Sequence, residues 1–198
     1  MDHKMFHKIR LYFTGAITIS TWLLLTWDYY HGGVPTHHIL QRKDMPEFSN
    51  WWGGVILPSL TWFLLYRIQK RISNAGDGNS QLSKFSINIF YAFVGALCFG
   101  ILLSVFFTLD YTELPFYMFI GLFLLALFLP IYRAECFLGF VIGMTFTFGG
   151  VLPIGIVTIL TLIGAILYLL VRPGILFVIS RLVNLASTNK HKQDRLSK

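Results

Sequence analysis

The chain has 198 residues, 55% of them hydrophobic and only 13% charged, with a mean hydropathy of +0.64. That leaves too little polar surface to solvate a globule in water, which excludes an ordinary soluble domain and selects a bilayer. The formal net charge of +7 comes from residues lying beside apolar runs rather than among exposed aromatics. Membrane lipids with anionic headgroups are therefore the expected partner, and nucleic acid is not.

A helical crossing takes about 20 residues, so the chain has room for one transmembrane domain, residues 1–186, and no separate soluble one. Lys4, Lys8 and Arg10 precede an apolar run that ends in Trp27, Tyr29 and Tyr30, as an interfacial aromatic belt would. No small-residue cleavage site follows, so this run reads as a first transmembrane helix over 11–30. Gly32, Gly33, Pro35 and Pro46 then break the helix. Ser49 and Asn50 are placed to cap a second span over 51–66, with Pro58 inside it. Arg67 to Lys84 is polar and turn-rich and reads as a loop. A third span covers 86–109, and a short acidic turn leads into a fourth over 116–132. Arg133, Ala134 and Glu135 turn the chain into a fifth, 136–152, which carries Gly139 and Gly143 in G-x-x-x-G spacing. Pro153 opens a sixth, 154–171. Arg172, Pro173 and Gly174 should end it, leaving 175–186 as an amphipathic helix along the interface. Residues 187–198 form a basic tail with the composition of a disordered cytoplasmic segment.

The expected fold is thus an all-α integral membrane protein, a bundle of six transmembrane helices plus a short C-terminal interfacial helix. With both termini in the cytoplasm, every basic residue except Arg42 and Lys43 falls on the inner side, as the positive-inside rule requires of a plasma (inner) membrane protein. The resemblance of G-G-V-I-L-P at 53–58 to G-G-V-L-P at 149–153 does not fit an inverted three-plus-three repeat and carries no topological weight.

The inferred outer face collects the versatile side chains. His31, His37 and His38 share a loop with Asp28, Asp44 and Glu47, while Asp110 and Glu113 lie in the next outer turn. Imidazole with carboxylate is a ligand set suited to zinc or another divalent transition metal, so His31, His37, His38, Asp28 and Asp110 are the metal candidates. The H-x5-H-H spacing matches no established zinc motif, and an ordinary solvated loop competes with this reading. A metal-activated water there would suit a metal-dependent enzyme acting on a lipid-linked or membrane-proximal substrate. The alternatives are a transporter or channel for a small solute or ion, and a membrane assembly or scaffold protein without a catalytic site. Trp51 and Trp52 fit a headgroup-level belt better than a stacking platform. Arg133 and Glu135 form a candidate pair at the inner mouth, with an interfacial ion pair as the simpler reading. Gly139 and Gly143 suit close helix packing, within the chain or between copies. Cys98 and Cys136 lie in or beside apolar runs and suggest neither disulfide nor cysteine-ligated metal. No span carries a lysine for a retinal Schiff base, and there is no P-loop or G-x-S-x-G elbow.

Overall fold

The computed structural model describes residues 3–33, 36–38, 47–74, 79–111 and 113–183. Asp44 and the tail 187–198 lie outside the described residues, and His37, His38 and Glu47 are described by their backbone alone. What is described is helical apart from one small antiparallel pair of strands. Three helices, Met5–Tyr30, Ser86–Thr108 and Val151–Val183, are long and apolar enough to cross a membrane, and Glu113–Phe128 and Ala134–Phe148 are shorter apolar helices.

Helix α1, His3–Tyr30, begins before its apolar run and carries the basic residues of the amino terminus on its first turns. It stops where the sequence demands: the His31 amide donates to the Trp27 carbonyl and the Gly33 amide to that of Asp28 at 3.0 Å. Gly32 and Gly33 take φ of 125° and 95°, which a side chain resists. Strands β1, Thr36–His38, and β2, Glu47–Ser49, pair antiparallel, with Thr36 opposite Ser49, His37 opposite Phe48 and His38 opposite Glu47. A 3-10 turn over Asn50–Trp52 leads into α2, Gly53–Ser73, and the Trp51 amide donates to the Ser49 hydroxyl, so the expected serine cap is present.

The expected loop over Arg67 to Lys84 is largely helix. Helix α2 runs on to Ser73, where Lys70 and Arg71 in its last turn complement the helix dipole, and α3 begins at Asn79 and extends to Thr108. Helix α4, Glu113–Phe128, and α5, Ala134–Phe148, follow. Helix α6, Val151–Ile166, also departs from expectation, because it passes through a π turn at Leu167–Val171 and continues to residue 183. Arg172, Pro173 and Gly174 do not break it. The Arg172 amide donates to the Leu167 carbonyl, five residues back, and this widened turn lies just before the proline whose missing N–H would otherwise interrupt the ladder. Residues 173–183 are exposed, including Ile175, Phe177, Ile179 and Leu182.

Glycine sets the packing. The interface between α3 and α5 is the most extensive among the described residues. A Cβ on Gly143 would lie 2.5 Å from the Leu97 carbonyl and 3.2 Å from the Gly100 Cα, and one on Gly139 would strike the Phe93 carbonyl. Residues rise together along both helices at this contact, so α3 and α5 run parallel and α4 must carry the chain back between them. The partner of the G-x-x-x-G face is therefore α3, not the sequence neighbour α4 or α6. Leu57, Leu103, Phe140, Val141, Met144, Val157 and Leu160 form the core where α2, α3, α5 and α6 meet. Buried positions on α6, namely Pro153, Val157, Leu160 and Gly164, repeat at the spacing of one helix face.

Candidate functional site

At one end of the bundle the connection between the first two helices is pinned. Asn50 is buried, and its Oδ1 accepts from the Gly150 amide at 2.9 Å. Gly149, at φ 73°, leaves room for the Asn50 side chain that a Cβ would fill, and Gly53 and Gly150 meet backbone to backbone. The two G-G-V segments are thus in direct contact. Each glycine pair opens a helix at the same level, and their likeness reflects a shared packing need, not a repeat. Trp51 stands beside Trp22 and Tyr29, at ring distances of 6.2 and 6.3 Å, and Trp52 is exposed.

The metal candidates nearest this end have local partners. His31 stacks on Trp27 at 3.8 Å, and its Nδ1 donates to the Trp27 carbonyl at 2.9 Å. Asp110 takes a left-handed conformation, φ 58°, and closes α3 together with the Tyr111 amide, which donates to the Phe106 carbonyl. Asp28 is half-buried and Glu113 sits exposed in the first turn of α4, where the helix dipole favours a carboxylate. Among the described residues no three His, Cys, Asp or Glu side chains group closely enough to hold a metal.

The opposite end holds a more developed arrangement. Glu135, in the first turn of α5, is 1% exposed, and its Oε1 accepts from Arg71 Nη2 of α2 at 2.7 Å. The sequence suggested its neighbour Arg133 as the partner and a carboxylate in contact with water. In the structure the carboxylate turns inward instead, and a cation 64 positions earlier reaches it. The bond is short and charge-assisted, the kind needed to offset the desolvation of a buried acid. Oε2 of the same carboxylate has no partner among the described residues.

Glu135 lines one end of a cleft of about 560 Å³ between α3, α4, α5 and α6. Asn88 and Tyr91 from α3, Arg133, Cys136 and Thr161 add polar groups there, and the Thr161 hydroxyl is buried without a partner among the described residues. Phe99, Leu122, Leu125, Phe140, Val157 and Leu160 supply an apolar wall. Gly95 lies in that lining, and a Cβ built on it would meet nothing within 4 Å. The volume falls within the range of about 300–1,000 Å³ usual for small-molecule sites, and the mix of hydrocarbon with a few convergent polar groups is also typical. Sequence reading missed Asn88, Tyr91, Gly95 and Thr161 altogether. The one available signal was Glu135 itself, an acid retained in a short turn between two apolar runs on a basic face. Comparison with family models, with curated proteins and with solved structures finds no match to this chain, so the geometry alone carries the functional reading.

Proposed function

We propose that this chain is a six-span membrane protein that binds an amphiphilic small molecule in the cleft between α3, α4, α5 and α6, as the recognition step of a carrier. The observation that carries the reading is the pairing of an apolar cleft with a buried carboxylate whose second oxygen has no partner among the described residues. A buried acceptor left unpaired costs about 1–3 kcal/mol, and a ligand group that donates to it recovers that cost. The hydrocarbon of the ligand would lie along Phe99, Leu122 and Leu125. Its head would combine a donor for Glu135 Oε2 with an acceptor for Arg133. Six crossings are supported by the parallel run of α3 and α5, which needs α4 to return the full length of the bundle. Helices α4 and α5, at 16 and 15 residues, span only about 24 and 22 Å, so the bilayer would thin around them. Orientation follows the basic residues, with the Arg71–Glu135 end in the cytoplasm.

Gly95→Leu tests the reading. It adds a side chain where the cleft is open, so it should abolish binding of a long-chain amino alcohol probe while leaving the melting temperature unchanged or raised. Full binding by this variant would remove the cleft from consideration.

A second reading, a metal-dependent enzyme at the opposite end, has its own support. The Trp27 carbonyl engages Nδ1 of His31, which leaves Nε2 as the ligating nitrogen, and the hairpin register sets His38 opposite Glu47. Elemental analysis of protein purified without chelators, beside a His31→Ala/His37→Ala/His38→Ala variant, decides it. Stoichiometric zinc lost in the variant supports the enzyme, and substoichiometric metal in both removes it.

A further inference from the structure

A second cleft, of about 590 Å³, opens between the first turns of α1 and the last turns of α2. Its chemistry is unlike that of the first, since Lys8, Arg10 and Lys70 line it together with His7, and no carboxylate is among its lining side chains in the described residues. Three cations gathered in one concavity repel each other unless an anion joins them. The arrangement of Arg10 is the decisive feature. Its side chain is 9% exposed, unusually low for an arginine at a bundle end. The guanidinium lies over the Trp62 ring at 3.9 Å, Nη1 donates to Gln69 Oε1 at 3.3 Å and Nη2 to His7 Nδ1 at 3.3 Å. These contacts fix the plane of the group and occupy both terminal nitrogens, while Nε is buried with no partner among the described residues. A guanidinium held in place by these contacts, flanked by two exposed ammonium groups on flexible stems, makes a positively charged concavity suited to a tetrahedral oxyanion.

We propose that this cleft is a phosphate-group site, filled by the headgroup phosphate of an anionic membrane lipid. The proposal needs the chain to be membrane-embedded but is independent of what the α3–α6 cleft binds. Lys8 and Lys70 close over the phosphate oxygens from α1 and α2, and the fixed Arg10 guanidinium beside them adds its positive charge to the cleft. The bound headgroup thereby joins the two helices at the end where α1 is otherwise held to α2 through Arg10, Gln69 and Trp62. Basic pockets between helices at a membrane surface take headgroups in this way.

The test uses the full chain in neutral detergent, titrated with phosphatidylglycerol or phosphatidylcholine and read by native mass spectrometry. The first phosphatidylglycerol should bind well ahead of phosphatidylcholine. Each lysine near a lipid phosphate contributes about fivefold, so Lys8→Gln/Lys70→Gln should weaken that first binding about 25-fold. Arg172→Gln/Arg181→Gln removes the same charge elsewhere and should leave it unchanged. Sodium phosphate added as a competitor tells the sources apart: failure to displace the lipid supports a headgroup site, and displacement supports the same phosphate chemistry with a soluble ligand. Equal losses in the two double variants, or no loss in the lysine variant, would overturn the proposal.

Discussion

Gly143→Ala is the most quantitative probe of the bundle. The added methyl would stand 2.5 Å from the Leu97 carbonyl and 3.0 Å from the Ile101 amide nitrogen, both backbone atoms that no rotamer change can move. Ordinary contact needs about 3.5 Å, so α3 and α5 must separate by about 1 Å, and a gap of that size forfeits a quarter to a half of each dispersion contact along the seam. Overpacking of this kind costs about 1–3 kcal/mol, against which alanine recovers about 1 kcal/mol of helix propensity. The net is a loss of up to about 2 kcal/mol, or a fall of up to about 8 °C in melting temperature for a chain of this size, and the deficit against an alanine that meets no clash is the full overpacking cost of about 1–3 kcal/mol. Gly95→Ala, on the same helix pair but facing open space, is the matched control and should melt no lower than the parent. Thermal melts followed by circular dichroism in one detergent give both numbers. A Gly143→Ala protein as stable as Gly95→Ala would refute the parallel α3–α5 seam.

Both ends of the bundle respond to single substitutions. Asn50→Ala leaves the buried Gly150 amide without its acceptor and should cost about 1–3 kcal/mol in the same melt. Arg71→Met strands the Glu135 carboxylate and should cost about 3 kcal/mol, while Arg71→Met with Glu135→Gln should recover much of it, a coupling read from a double-mutant cycle. Asp110→Gly relieves a left-handed backbone and should be neutral or stabilising, whereas Asp110→Val should lose about 1–2 kcal/mol by melting temperature.

Hydropathy and punctuation made much of the helix order legible, because apolar runs and their Gly, Pro and Ser boundaries are local properties. The glycine pair at 139 and 143 announced a tight interface, but nothing in the sequence named α3 as its partner, since choosing among helices depends on which faces meet in space. Charged residues misled in a consistent way. Arg67, Lys70 and Arg71 read as loop because they are polar, yet all three are helical, and Lys70 and Arg71 in the last turn of α2 complement the dipole at its carboxyl end. Glu135 read as a solvated turn residue because its neighbour Arg133 is a cation, while the ion pair that forms is with a residue from another helix. Pro173 read as a helix end because its effect is local, yet the helix runs through it after a π turn. The cleft itself was invisible to pattern reading, because Asn88 and Gly95 on α3 and Thr161 on α6 are isolated polar or small residues in two helices far apart in the chain.

Photolabelling can show whether an amphiphile occupies the cleft between α3, α4, α5 and α6. A long-chain amino alcohol carrying a diazirine on its tail, added to the full chain in membranes and irradiated, yields crosslinks that peptide mass spectrometry can place. Binding in the cleft should concentrate labels on Phe99, Leu122, Leu125 and Phe140, displaced by unlabelled amino alcohol and absent in Gly95→Leu. Labels spread over outward residues such as Leu23, Phe90 and Leu162, with no competition and no change in Gly95→Leu, would contradict it.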